Sequence, residues 1–535
     1  MIFVALLAII LPLLCIVVFR MPAKIGMSIS AVAVGIAALV AWQMTPLAVG
    51  ASVAQAVHRS LTIALILFGA ITLLRTLQET AALNRIKLGF HAISADMRVQ
   101  TVLVAFAFVS LLEGISGFGT PAIIAAPLLM VLGFRPIAAA VLALLGDTVA
   151  VTFGAVGTPL IVGLENVPNY STNLTWAVGA QVATFDLVIG TLLPLMLVSV
   201  LVLQFSELTL KAKFRSILHI APWSLLIGAT YAVSAFTVVR LIGPEFTAII
   251  AGSIALLVGM VTAYYNVGLP QQIWRHHARP EDEAEEEILE SSAQLMPLWK
   301  AWLPYATVIV LLLLTRTVPL IRDVTSRILD ASWRGIFGFS EINSTWAVLY
   351  SPGTILLAAA VVAALVGSRS LTPLKTGAKG AITTVVGALL ALVPTLIMVQ
   401  IFTNSGINTS ELAAMPVYIG ETLATVFGGL WVAAAPLLGA IGAFIAGSAT
   451  VSTLTMGPVQ ASIAEMTHLP LILVLALQMV GAAAGNIIAI HNVVAASTVV
   501  GLAHREGLIM RRLIMATMGY VGMAVVIGLA CAALL

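Results

Sequence analysis

Apolar runs of about twenty residues follow one another from end to end of the chain, and each is long enough to cross the hydrocarbon core of a bilayer. They fall near 3–19, 25–42, 60–78, 99–112, 136–164, 176–204, 217–240, 246–264, 301–320, 346–367, 380–402, 411–446, 470–501 and 513–534. The runs do not alternate residue by residue, which sets aside a transmembrane β-barrel. The pattern predicts an all-α polytopic membrane protein of about 12–14 transmembrane helices. Two stretches break the rhythm. "LLEGISGFGTPAIIAAPLLMVLGF" (111–134) places a glutamate, Gly114, Gly117, Gly119 and two prolines in apolar surroundings. "FIAGSATVSTLTMGPV" (444–459) crowds small and hydroxyl residues ahead of Pro458. Irregular backbone at membrane depth survives only against protein or a water-filled cavity. Both stretches therefore predict re-entrant or broken-helix hairpins, near 113–134 and 447–465.

Basic residues cluster in alternate loops: Arg20 and Lys24; Arg85, Lys87 and Arg98; Lys211, Lys213 and Arg215; Arg275 and Arg279; Arg369, Lys375 and Lys379; Arg505, Arg511 and Arg512. If these loops are cytoplasmic, both termini lie outside. The loop 321–345, with Arg322, Arg327 and Arg334, then falls outside too. Its pattern "IRDVTSRILDASWRGIF" suits an amphipathic helix on the membrane surface. No Lys or Arg precedes the first apolar run, so it reads as a permanent span rather than a signal peptide.

The acidic segment "RHHARPEDEAEEEILESS" (275–292) reads as a solvated cytoplasmic linker. It divides the chain into a first transmembrane half (1–265), a linker (266–298) and a second half (299–535). The first half begins outside and the second inside, the arrangement of inverted-topology repeats. "GDTVAVTFGAVGTPLIVGL" (146–164) can be laid on "GNIIAIHNVVAASTVVGL" (485–502) with one gap, which pairs Asp147 with Asn486.

Composition agrees with the pattern. Of 535 residues 61% are hydrophobic and 9% charged, with a mean hydropathy of +1.11. A soluble chain carries roughly 25% charge. A net charge of +3 gives no reason to expect nucleic acid. Cys15 and Cys531 stand at opposite ends and form neither a disulfide framework nor a metal-ligand spacing. The chain has no HExxH and no Walker loop, so neither a zinc hydrolase nor ATP drive is indicated, and it reads as no enzyme, with no cofactor.

The candidate chemistry lies in the interruptions. A broken helix presents free N–H donors and a dipole that hold a carboxylate. This makes Ser116, Gly117, Gly119 and Thr120 in the first hairpin, and Gly447, Ser448, Thr450 and Ser452 in the second, candidate substrate ligands, joined by Asn486. Intramembrane acids are costly, about 2.5–3.5 kcal/mol at a helix centre, so Glu113 and Asp147 are candidate proton carriers. Asp147 is expected to open a helix whose small face is Gly146, Ala150, Gly154 and Thr158. His491, five residues beyond Asn486, is a third proton-coupling candidate. Asp186 and Glu165 are weaker ones. Arg75, near the end of its run, either snorkels to the interface or clamps the substrate carboxylate.

At these residues the chain resembles the lactate permease family of bacterial L-lactate and glycolate permeases. The resemblance is carried by "SADMRVQTVLVAFAFVSLLEGISGFGTPAIIAAPLLMVLGFRPIAAAVLALLGDTVAVTFGAVGTPLIVGL" (94–164), and in the second half by "AGSATVSTLTMGPVQA" and "GNIIAIHNVVAASTVVGLAHREG". The family's Glu-Gly-Ala-Ala-Gly-Phe-Gly-like element corresponds to Glu113–Gly119, its Gly-Phe-x-Pro to Gly133–Pro136, and its Ala-Phe-Gly-Ala-Gly-like element to Thr152–Gly157. Departures are Asp147 for the family's usual Asn, Ala449 for an acid, and Ile488-Ala489-Ile490 for Ile-Ser-Pro. The resemblance implies a proton symporter of small 2-hydroxymonocarboxylates in the bacterial inner membrane, with both termini periplasmic. The alternative is a Na⁺-coupled or uncoupled transporter or channel for another small organic anion, such as a sulfonate. The expected partners are the carboxylate substrate and the lipid bilayer; no feature of the chain fixes an oligomeric state.

Overall fold

The computed structural model describes residues 1–19, 21–117, 119–168, 170–270, 272–275 and 296–534. Most of the expected acidic linker (276–295) lies outside the described residues. Among the described residues every long element is helical, and nine helices are long and apolar enough to cross a membrane, or ten if one pair bent by 44° counts as a single span. The chain is a multi-pass, all-α membrane protein.

The N-terminal span is assembled from Ile2–Ala5, Leu7–Leu13 and a π-helical Leu14–Val18. Then come α1 (Ala23–Val40), α2 (Pro46–Glu79) and α3 (Ala82–Ile93). A first hairpin follows. One arm runs from Met97 through a π-helical Thr101–Phe108 into α4 (Val109–Ser116), and the other is α5 (Thr120–Val131). The bent pair is α6 (Pro136–Gly146) and α7 (Gly154–Ile161), and α8 (Thr172–Phe205) leads on. Two further helices, α9 (Leu210–Leu241) and α10 (Thr247–Tyr264), complete this part.

The same order then recurs: α11 (Leu298–Thr317), a short α12 (Pro319–Arg327), α13 (Pro352–Ser368), α14 (Thr372–Thr403) and α15 (Met415–Phe427). A second hairpin, α16 (Trp431–Ala446) with α17 (Ala449–Met466), precedes an interrupted pair, α18 (Leu471–Ile487) with α19 (Ile490–Val499), and a long last helix, α20 (Glu506–Leu534). Packing repeats with the order. α2 packs on α14; α13 packs on α2 as α14 packs on α1; α5 meets α19 as α17 meets α7; α8 meets α18 as α20 meets α6. Among the described elements of the first run, only α9 and α10 have no counterpart in the second.

The two hairpins enter from opposite faces. The first is rooted beside a buried knot in which Arg98 pairs with Asp96 and donates to Ser216 O and Gln272 O. Its other end, at Gly133, borders Glu79 and Gly501. The loops bearing Arg98, Lys211–Arg215, Arg505 and Arg512 thus share one face. The second hairpin follows α15, whose leading loop is tied to the opposite end of α1: Trp42 Nε1 donates to Ala413 O at 3.0 Å, and Ser410 Oγ to Trp42 O at 2.9 Å.

They are also held differently. α10 clamps the first by close backbone contact: a Cβ on Gly114 would stand 2.6 Å from Ile249 N, and one on Gly252 2.6 Å from Leu111 N. The second is laced to α18 by polar side chains. Trp431 Nε1 donates to Gln460 Oε1, Gln460 Nε2 to Gln478 Oε1, Gln478 Nε2 to Ser452 Oγ, and Ser452 Oγ to Gly439 O, all at 2.8–3.1 Å.

Three expectations are corrected. The run 411–446 is two helices, because Gly428 (φ +46°) ends the first. The 321–337 pattern is helical only to Arg327. Asp330 accepts from Ser332 N and Oγ, and this local turn competes with the helix. The segment then forms bridges Asp330–Ala347 and Trp333–Ser344 and docks on α2 through His58 and Gln55. The third is α2 itself. Thr45 caps it, Pro46 suits its first turn, and nothing interrupts it before Glu79. Its 34 residues reach about 51 Å, well beyond a core of about 30 Å.

Gly146 and Gly485, paired in the sequence alignment, play one role: each lies against a carbonyl of its own hairpin's first arm, Ala105 O and Ala440 O. Gly485→Ala should lower stability by about 1–3 kcal/mol through overpacking. The measurement is the melting temperature of the detergent-purified protein. Gly519→Ala on α20, where a Cβ meets nothing within 4 Å, should leave it unchanged.

Candidate functional site

Four interruptions of helical backbone meet. The first hairpin turns at Gly117 (φ +58°) and Gly119 (φ +73°), the second at Gly447 (φ +65°) and Ser448. α6 stops at Asp147, gives way to a 3₁₀ turn over Thr148–Phe153, and resumes through Ala155, Val156 and Gly157, all at positive φ. α18 stops at Ile487, with Ile488 and Ala489 between it and α19. A left-handed non-glycine residue costs roughly 1–2 kcal/mol. Two in succession, Ala155 and Val156, persist only where surrounding contacts impose them.

Those contacts tie the interruptions together. A Cβ on Gly117 would stand 2.8 Å from Ala155 Cβ. Gly119 lies against the Asn492 amide, Gly447 against the His491 imidazole, and Gly154 against the Glu113 carboxyl. Adjacent residues of α19 thus touch the two hairpin turns that enter from opposite faces. A cavity of about 20 Å³ lies at the crossing, bordered by Glu113, Gly117, Gly154, Ser448, Thr450 and Asn486. It has room for about one water molecule, so the crossing is closed in this state. The N-terminal ends of α5, α7, α17 and α19 converge here, and the C-terminal ends of α4, α6, α16 and α18 abut them. Helix N-termini favour anions, and C-termini and unwound carbonyls favour cations.

Glu113 and Asp147 are 3% and 2% exposed, and their carboxyls adjoin. Ionised carboxylates only accept, so a hydrogen bond between the two requires a proton on one of them. Among the described residues Glu113 Oε2, Asp147 Oδ1 and Thr120 Oγ1 have no hydrogen-bond partner. The site therefore brings two buried carboxyls together beside unspent polar atoms.

Of the residues singled out from the sequence, Glu113, Gly117, Ser448, Thr450 and Asn486 line the cavity, and Asp147, Gly119, Gly447 and His491 pack directly behind it. Asp147 does not open a helix as expected; it ends one, because the chain from 147 to 157 leaves helical geometry. Ser452 is occupied within the second hairpin's polar lacing. Thr120 opens α5, and Ser116 closes α4, its backbone alone described. Arg75 is elsewhere. It borders a larger cavity of about 600 Å³ toward the basic face, with Gln78, Glu79, Gly133, Thr376 and Thr498.

Two residues went unread in the sequence. Asn492 donates from Nδ2 to Asn486 Oδ1 at 2.9 Å while resting on Gly119. Its signal was its place in the 485–502 segment, beside His491. Arg59 is half-buried on α2, within electrostatic reach of His491, and no ion pair among the described residues engages it. The hydropathy pattern begins that span at residue 60 and leaves Arg59 outside it; the uninterrupted α2 carries it about four turns into the helix.

Interrupted spans and opposed hairpins around a closed polar crossing define a multi-pass membrane transport protein. The chain belongs to the L-lactate permease family, whose model matches residues 1–535. It is 30% identical over 487 residues to a Haemophilus influenzae protein assigned as an L-lactate permease, covering 87% of this chain and 86% of the relative. It is 26% identical to the L-lactate permease of Bacillus subtilis, over 90% of this chain and 86% of the relative. It is 25% identical to the glycolate permease of Escherichia coli, over 84% and 80%.

Asp147→Asn keeps the shape and a hydrogen-bonding group beside Glu113 while removing the titrating carboxyl. Uptake by the unaltered protein should fall as external pH rises and the pair loses its proton; in the variant this dependence should flatten, with the melting temperature preserved. An unchanged pH profile would make Asp147 structural.

Proposed function

We propose that the protein is a proton symporter of small 2-hydroxymonocarboxylates, of the lactate and glycolate class. The observation that carries the reading is the buried, adjoining carboxyl pair Glu113–Asp147 beside converging helix N-termini. An entering carboxylate meets N–H donors of the hairpin turns, and the proton it travels with neutralises a neighbouring carboxyl. Two charges that would each be costly at this depth then offset one another. The names of the relatives, lactate and glycolate permeases, support this substrate class.

The reading includes a division into two inverted halves, 1–265 and 299–535, joined by a linker at 266–298. The recurring order of elements and the opposed hairpins support it. The basic face is cytoplasmic under the positive-inside bias, which places both termini in the periplasm of a bacterial inner membrane. The crossing of about 20 Å³ is too small for lactate, so binding requires the hairpin turns to part. The cavity that borders Arg75 is the vestibule on the cytoplasmic side.

A cation close to the crossing suits an anionic substrate, and among the described residues Arg59, near His491 and in no ion pair, is such a cation. Losing a charge-assisted bond of about 1.5–3 kcal/mol weakens binding about 10- to 100-fold. In proteoliposomes with an imposed pH gradient, Arg59→Gln should raise the KM for L-lactate at least about 10-fold, while Arg75→Gln should change it by less than about 3-fold. L-Lactate and glycolate should saturate uptake, and a Na⁺ gradient alone should drive none. Uptake driven only by Na⁺, or faster for a sulfonate, would replace this reading with the alternative.

A further inference from the structure

The cavity of about 600 Å³ toward the basic face is more than an opening, because of what lines it. Arg75, Gln78 and Glu79 face it from α2, Asn84 from α3, Thr384 from α14 and Thr498 from α19. Arg75 and Glu79 stand four residues apart on one helix, a spacing at which such side chains commonly pair. They do not pair here. A Cβ on Gly380 of α14 would overlap the Arg75 guanidinium, so the guanidinium leans across onto α14. No hydrogen bond or ion pair among the described residues engages Arg75 or Glu79. A fork of N–H donors and a carboxylate acceptor are thus left unspent on one cavity wall.

The position of the cavity follows from two helices that run to it from the crossing. α5 begins beside Gly119, at the first hairpin turn, and borders the cavity with Pro127, Met130 and Val131. α19 rests Asn492 on Gly119 and borders the cavity with Thr498 and Val499. From Asn492 to Thr498, or from Thr120 to Pro127, is about 10 Å of helix. A solute that leaves the crossing between α5 and α19 therefore meets Arg75 after about two turns of helix.

We propose that this cavity is a second substrate site, separate from the crossing, where a 2-hydroxymonocarboxylate is held on the basic face. The Arg75 guanidinium takes the carboxylate, and Glu79 accepts a hydrogen bond from the 2-hydroxyl. A small acid with both groups on neighbouring carbons matches a donor fork and an acceptor one helical turn apart. The two protein charges also set its strength. Glu79 repels the anion that Arg75 attracts, and water reaches both, so the site binds weakly and lets go readily. Gly380 belongs to the site as the surface on which the guanidinium lies. The proposal rests on the substrate class read above, and proton coupling does not enter it.

The test is substrate protection of a cysteine in the full-length, detergent-purified protein. Cys15→Ala and Cys531→Ala remove the native thiols, and Thr384→Cys places a reporter on the cavity wall one turn from Gly380. L-Lactate should slow modification of the reporter by a small methanethiosulfonate reagent, and lactamide, of the same shape but uncharged, should not. Arg75→Gln should raise the half-protecting lactate concentration at least about 5-fold. Propionate, which lacks the hydroxyl, should need at least about 3-fold more than lactate, and Glu79→Gln should narrow that difference. Protection unmoved by Arg75→Gln, or equal protection by lactamide, overturns the site. So does a rise in the uptake KM of Arg75→Gln that matches the rise in half-protection, since one site would then account for both. Uptake of L-lactate by the reporter protein in proteoliposomes is measured alongside. Uptake without protection overturns the second site and leaves the substrate class standing, and no uptake of either lactate or glycolate by the unaltered protein overturns both.

Discussion

A peptide group that has lost its helical partner inside hydrocarbon costs several kcal/mol unless something else satisfies it. This chain interrupts its helices at four places of membrane depth, and that penalty explains why all four are found together. Gly117 leans on Ala155, Gly119 on Asn492, and Gly447 on His491. Each break is covered by another break, and the space between them shrinks to about 20 Å³. The long uninterrupted helices, α2, α8, α14 and α20, surround this crossing and keep lipid away from it.

The same scarcity of solvation governs the acids. Glu113, Asp147 and Asp186 are all nearly inaccessible, and no ion pair among the described residues reaches them. Two of them, Glu113 and Asp147, adjoin. A membrane protein that wanted these positions only for packing would fill them with leucine or alanine. Retaining three uncompensated carboxyls is understandable when their neutral and charged forms are both visited in a working cycle.

Hydropathy alone made the fold class and most spans legible, because spans are a matter of length and polarity. Hairpins were legible for a related reason: Gly117, Gly119 and Gly447 have no business in an unbroken membrane helix. What the sequence concealed depended on geometry between distant segments. Asp147 looked like the start of a helix, since small residues every fourth position fit one, yet three successive residues at positive φ followed. Arg59 was hidden because the apolar run was taken to begin at residue 60. Arg75, more conspicuous, proved to border a different cavity. That Asn492 would rest on a glycine of the other hairpin could not be read from either segment alone.

The two hairpins, alike in order and fold, are not alike in support. α10 presses backbone to backbone on the first through Gly114 and Gly252 and has no counterpart at the second, where α18 both packs closely through Gly481 and Gly485 and joins a glutamine and serine lattice. Exchanging the roles of the halves therefore does not regenerate the same set of contacts. The inward-open and outward-open forms of such a machine have unequal free energies, so one is the resting state, and half-saturation measured from the two sides of the membrane differs in the same proportion. The point at which net transport stops is untouched by this imbalance, because it belongs to the gradients and not to the protein.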